Sequence, residues 1–273
     1  MAVYHFNMRV LSRGNCQSVV ATAAYNNGEK LYDKYIGKTY DYSCRSDVLY
    51  KEVLLPPLAS HEFLDTQRLL DALNDAEKRI DSQMARVIKM ALPNELPVDR
   101  QIALVKGFVE RNFVSRNMCA AVAFHSGLLE QHRKPETIKA VNEFRNNPHA
   151  HIIVPIRQIG IEGFYQTKTG SRELNNKLFL LQLRECWAEL QNREYERMGL
   201  NVRVSHKSLA EQGIHDRKPS IHLGAAAIAL ESRGIESKRG DKYRSIREEN
   251  QKREREAERA EERLFEREYV RSR

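Results

Sequence analysis

Asn147-Pro148-His149-Ala150-His151-Ile152-Ile153-Val154-Pro155 opens on an Asn-Pro turn signal and runs on as a short apolar strand to a second proline. Successive side chains of a strand alternate faces, so His149 and His151 point the same way. Two residues of strand rise separate them by about 7 Å at the backbone. That is close enough for both rings to bend onto one cation. Such a pair is half of a metal site; the alternative is a pair of hydrogen-bonded histidines in a partly buried strand. What tilts the balance lies elsewhere in the chain.

Upstream, Asn117 to His125 (NMCAAVAFH) reads as a buried strand with His125 at its end, and His132 follows in the next segment. Two core strands that each end in histidine can converge on one site. Pro135 to Arg145 has the pattern of a helix between them. At the N-terminus, Tyr4, Phe6, Met8 and Val10 alternate with His5, Asn7 and Arg9, the period of a strand with one apolar and one polar face. A short helix from Ser18 to Tyr25 follows, stopped by Asn26-Asn27-Gly28. Tyr25 has mostly small neighbours, Ala21, Ala23 and Ala24, which suits a phenol facing a cleft or an aromatic capping the core.

Residues 30–60 read as irregular surface rich in Tyr, Lys and Asp, with one strand at Val53 to Leu55; Tyr32, Tyr35, Tyr40 and Tyr42 are candidates for stacking on bases. From Glu62 to Lys78 a helix carries Leu69, Leu70, Leu73 and Ala76 as its buried stripe. Glu77 falls one turn beyond Leu73, on or beside that stripe, where a carboxylate is costly unless paired. Its partner is a histidine, a metal, or a surface Lys or Arg. Arg86 to Leu92 reads as a strand, Asp99 as the N-cap of a helix to Arg111, and Glu173 to Met198 as a long helix. A polar segment leads to a short helix at Ala225 to Arg233. Asp241 to Tyr269 alternates Lys and Arg with Glu at helical offsets and reads as an exposed helix or a disordered arm.

The formal net charge of +8 favours a polyanionic partner, nucleic acid first. Cys16, Cys44, Cys119 and Cys186 have no CxxC spacing, which argues against a disulfide framework or a structural zinc and fits the cytoplasm. Met1 to Arg9 shows no charged region followed by a long apolar core and no run approaches about 20 apolar residues, so neither secretion nor membrane insertion is expected.

Four stretches, in order, resemble the MobA/MobL-type conjugative relaxases of the HUH endonuclease superfamily. They are VYHFNMRVLSRGNCQSVVATAAYNNGE, DAEKRIDSQMARVIKMALPNEL, NPHAHIIVPIR, and the pair SHKSLAEQGI with PSIHLG. The resemblance implies an α+β fold: a central, mostly antiparallel sheet with helices, over residues 1–235, followed by a charged arm at 236–273. It implies Tyr25 as nucleophile, His149 and His151 as paired metal ligands, His125 as the third with His132 as fallback, and Glu77 as a catalytic acidic residue that orients a histidine or completes the metal shell. The implied metal is Mg or Mn, while imidazole ligands by themselves suit Zn or Ni as well.

The implied reaction is nicking of one strand at a plasmid origin of transfer. It passes through a 5′-phosphotyrosine, and the strand is rejoined afterwards. The implied partners are single-stranded origin DNA, accessory proteins of the relaxosome, and a secretion coupling protein that would meet the arm. Two rivals remain: a rolling-circle replication initiator with the same chemistry, and a non-catalytic DNA-binding accessory protein. The first is distinguished by biological setting, the second by the absence of any covalent adduct.

Overall fold

The computed structural model describes residues 4–126, 148–168, 174–221, 223–231 and 233–271. His132 and the helix expected at 135–145 lie outside the described residues. Among the described residues, those up to His206 form one compact unit and those from Lys207 onward a second.

The first unit is α+β. Its core strands are β1 (Phe6–Ser12), β4 (Val48–Leu54), β5 (Gln83–Ala91), β6 (Ala120–His125) and β7 (His149–Pro155). They form one sheet in the order β1-β5-β7-β6-β4, with every neighbouring pair antiparallel. The HAHIIVP strand therefore lies at the centre. Helix α1 (Val19–Asn27) and helix α2 (Thr66–Ala76) cover one face; helix α3 (Val98–Asn112) and helix α4 (Lys177–Arg197) cover the other.

Strand alternation sorts the side chains between the two layers. Ile88 and Met90 of β5, Val122 and Phe124 of β6, and Ala150 and Ile152 of β7 pack with Phe108 and Trp187 under α3 and α4. Phe6, Phe113 and Trp187 meet Phe108 edge-on at 5.8–6.3 Å between ring centroids. The opposite parity, Val87, Ala121 and Ile153, packs with Val20, Ala24, Leu69 and Leu73. His125, His149, His151 and Lys89 share that second parity. All four are thereby assigned to the α1 face of the sheet.

Segment 30–60 is more regular than its composition suggests. It contains a hairpin of β2 (Lys30–Asp33) and β3 (Lys38–Asp41), and the whole of edge strand β4. Alternation in β4 is masked because both of its faces carry charge. Glu52 meets Lys106 of α3 at 2.8 Å, and Lys51 on the other face meets Glu29 at 2.8 Å. Helix α3 begins after Pro97, and Asp99 sits inside its first turn rather than capping it, where a carboxylate still complements the exposed N–H groups. The loop after β7 holds a small hairpin, β8 (Ile159–Gly160) with β9 (Gly163–Phe164).

In the second unit, helix α5 (Ala225–Glu231) precedes helix α6 (Lys238–Arg271). The arm is thus helical over nearly its whole length. Asn250 donates to the Lys218 carbonyl and accepts from the Lys218 N–H, both at 2.8 Å, while Arg253 donates to the Asp216 carbonyl at 2.9 Å. These bonds tie the polar segment to one point on an otherwise charged helix. No described helix is long and apolar enough to cross a membrane.

Candidate active site

Helix α1 is short, so its ends decide whether it forms. Ser18 accepts from the Ala21 N–H at 3.0 Å and donates to Asp33 of β2 at 2.6 Å, fixing the N-terminus. Gly28 ends the helix at φ 60°, where its N–H reaches the Ala24 carbonyl. Only glycine takes up this left-handed conformation without strain. Small residues on the buried side let α1 lie close to the sheet, and Tyr25 emerges from it 46% exposed.

Beneath it, register sets the imidazoles. His125 is directly opposite His149 across β6 and β7, and His151 lies two residues further along the same face. Ring centroids are 5.2 Å apart for His125 and His149, 4.5 Å for His125 and His151, and 4.9 Å for His149 and His151. One nitrogen from each falls within 4.8 Å of the others. Tyr25 stands over this triad, its ring centroid 6.4 Å from that of His125.

Two of the three donors are held neutral by burial. Burial, reinforced by His125, His149 and Lys89, pushes the His151 pKa down to about 2. Burial also lowers that of His125. Its Nε2 lies 2.7 Å from the Asn26 carbonyl oxygen, which only accepts, so Nε2 carries the proton and Nδ1 keeps the lone pair. Three imidazoles on one sheet face fit a divalent cation with coordination positions left over for a substrate.

A pH dependence follows for the metal-free chain. His151 binds its proton far less readily folded than unfolded, so stability is full above the unfolded pKa of about 6.5 and declines as pH falls below it. At a pH one unit below that value the loss from this one group is about 1.4 kcal/mol. Urea unfolding at neutral and mildly acidic pH should show the decline, and His151→Gln should flatten it. Equal slopes for the two chains would contradict the assignment.

Three charged residues not singled out in the sequence also meet here. Arg45 lies with its guanidinium carbon 4.0 Å from the Tyr25 ring centroid and donates to the Tyr25 carbonyl at 3.2 Å. It clasps Asp47 with both arms, Nε to Oδ1 at 2.8 Å, and brings Nη2 within 3.4 Å of His125 Nδ1. Burial opposes the Asp47 charge, but the Arg45 contacts hold its carboxyl below the usual range. Arg45 thus links the phenol-bearing helix to a triad histidine. The third is Lys89, opposite His151 on β5. Tyr42 packs edge-on against Tyr25 at 5.4 Å.

Glu77 is not part of this cluster. It ends α2, is 1% exposed, and its carboxylate takes Arg157 Nε at 2.8 Å and Lys168 Nζ at 2.8 Å. Arg13 donates to its carbonyl. Arg157 follows the opposite end of β7 from His149, so roughly 20 Å of strand separates the two groups. Of the partners the sequence leaves open, the structure places Lys and Arg against Glu77, in a buried ion-pair node whose cations come from the chain beyond β7.

An exposed tyrosine over an imidazole triad, on the central strands of an antiparallel sheet with helices on both faces, defines the class of this protein. Residues 17–233 match the MobA/MobL family, and the chain belongs to that family. It is 29% identical to the probable mobilization protein MobA of Bifidobacterium longum over 92% of this chain and 48% of that protein. It is 30% identical to the conjugal transfer protein TraA of Rhizobium radiobacter over 85% of this chain and 22% of that one. The chain therefore spans half or less of the length of these relatives. A solved structure from work on the molecular basis of vancomycin resistance transfer in Staphylococcus aureus is 30% identical, with a TM-score of 0.63, covering 76% of this chain and 100% of that one.

Proposed function

We propose that the chain is a relaxase that nicks one strand of plasmid DNA at an origin of transfer and later rejoins it. The observation that carries this is the placement of an exposed Tyr25 ring 6.4 Å from a histidine of a three-imidazole cluster. Membership in a family whose relatives are named for mobilization and conjugal transfer supports it.

In this reading the Tyr25 oxygen bonds to the phosphorus of the scissile phosphodiester, the bond to the 3′ oxygen breaks, and that oxygen leaves as a hydroxyl once protonated. The phosphotyrosine keeps a reactive ester, so the same hydroxyl can attack in reverse and reseal the strand. Arg45 holds the phenol ring over the triad by stacking on it. His125, His149 and His151 would hold a divalent cation, Mg or Mn by the family resemblance and Zn or Ni by ligand type. When bound, that cation neutralises charge on the phosphate oxygens. Tyr42 and Tyr32, on and beside the β2–β3 hairpin, give bases of the single strand faces to stack on. Origin DNA places the chain in the cytoplasm, with relaxosome proteins and a coupling protein as further partners of the full assembly.

The test is incubation of the chain with single-stranded origin oligonucleotides and a divalent metal, followed by denaturing electrophoresis. The expected result is an SDS-resistant protein–DNA adduct that chelator and His149→Ala both diminish. Tight, salt-sensitive DNA binding with no adduct on any origin of a related plasmid would instead identify a DNA-binding accessory protein.

A further inference from the structure

Lys89 interrupts an otherwise buried strand, and nothing among the described residues accounts for it. It faces the α1 side with His151 directly opposite on β7, and it is close enough to that ring and to His125 to disfavour their protonation. It is half-buried, and burial alone acts on its ammonium: no carboxylate and no hydrogen-bond acceptor among the described residues offsets the charge. Lys51, two strands past His151 in the same cross-sheet row, is by contrast neutralised by Glu29 at 2.8 Å. Arg45, the cation on the other side of the triad, is occupied by Asp47 and Tyr25. A desolvated, uncompensated cation beside a cluster of imidazoles costs stability unless an anion arrives.

The same row continues outward. Asn7 of β1 is opposite Lys89, and Arg9, two residues along, is on the same face; both are exposed. Edge strand β1 thus extends the charge and hydrogen-bonding capacity of Lys89 away from the histidines towards the rim of the sheet.

We propose that Lys89 binds a phosphate of the DNA strand where that strand crosses the histidine cluster, and that Asn7 and Arg9 carry the strand on across β1. This rests on the relaxase reading and adds the direction the substrate takes. The binding energy gained at Lys89 repays a cost the free protein already bears. Lys89→Met should therefore weaken DNA binding without weakening the fold.

The experiment is fluorescence anisotropy of a labelled oligothymidylate against the full chain across a sodium chloride series. Parent, Lys89→Met, Lys89→Arg and Lys51→Met are compared, with the thermal midpoint of each. Loss of one phosphate contact reduces the slope of log affinity against log salt by about 0.7. That reduction is expected in Lys89→Met, with recovery in Lys89→Arg, a parent-like slope in Lys51→Met, and a midpoint for Lys89→Met at or above that of the parent. A parent-like slope in Lys89→Met overturns the proposal, as does a lowered midpoint, which would make Lys89 a structural residue. If the parent still forms the covalent adduct in either case, the relaxase reading stands and only Lys89 is reassigned. A parent that neither binds the oligonucleotide nor forms an adduct removes both.

Discussion

Tyr25→Phe is expected to abolish the covalent adduct, lowering its rate of formation on the order of 10⁴-fold or more, while leaving the fold and DNA affinity nearly unchanged. The substitution removes one oxygen and keeps the ring. The Arg45 stack at 4.0 Å and the edge contacts with Tyr42 and His125 depend on the ring and survive. The side chain is 46% exposed, so no buried hydrogen bond is sacrificed, and the stability change should stay within about 0.5 kcal/mol. Electrophoresis for the adduct and anisotropy for binding, run on the same preparation, separate chemistry from affinity. An adduct that persists in Tyr25→Phe and disappears in Tyr42→Phe would move the nucleophile to the neighbouring ring.

Glu77→Gln is expected to have the largest effect on stability of any single change at the ion pairs described above. The carboxylate is 1% exposed and holds Arg157 and Lys168 together, so its neutralisation leaves two cations facing a site with no counter-charge. Breaking a buried pair from one side costs about 3 kcal/mol. For a folded unit of this size that corresponds to a thermal midpoint lower by roughly 6–12 °C. Calorimetry measures it directly. Below the lowered midpoint the adduct should form at close to the parent rate, since the node lies at the far end of β7 from the histidines. Retained stability with a lost adduct would restore the histidine-orienting role expected from the sequence.

Tyr25 and Glu77 differ in how much of their surroundings the sequence displays. The period of two in HAHIIVP places His149 and His151 on one face from the sequence alone, and the apolar strand ending in His125 is legible for the same reason. Convergence of His125 with the pair depends on the β6–β7 register, a pairing between strands joined by a long segment, which no local pattern encodes. Tyr25 is legible through its helix and the family blocks. Glu77 is legible as a buried acid but not in its partner, because Arg157 and Lys168 reach it from a loop some eighty residues away. Arg45 and Asp47 sit in a segment whose mixed charge hides the edge strand that follows. Lys89 did leave a signal: one lysine in the run Arg86-Val87-Ile88-Lys89-Met90-Ala91, where a charge needs a reason.

The central position of β7 has a consequence for motion. Its backbone amides are shared with β5 on one side and β6 on the other, so the strand carrying two of the three imidazoles has no free edge from which to fray. Its amide protons are expected to fall in the slowest-exchanging group, released only when the sheet opens as a whole. Helix α1 is only nine residues long, yet six of them are buried and both ends are capped, so the phenol too stands on an element anchored by burial and not on a loop.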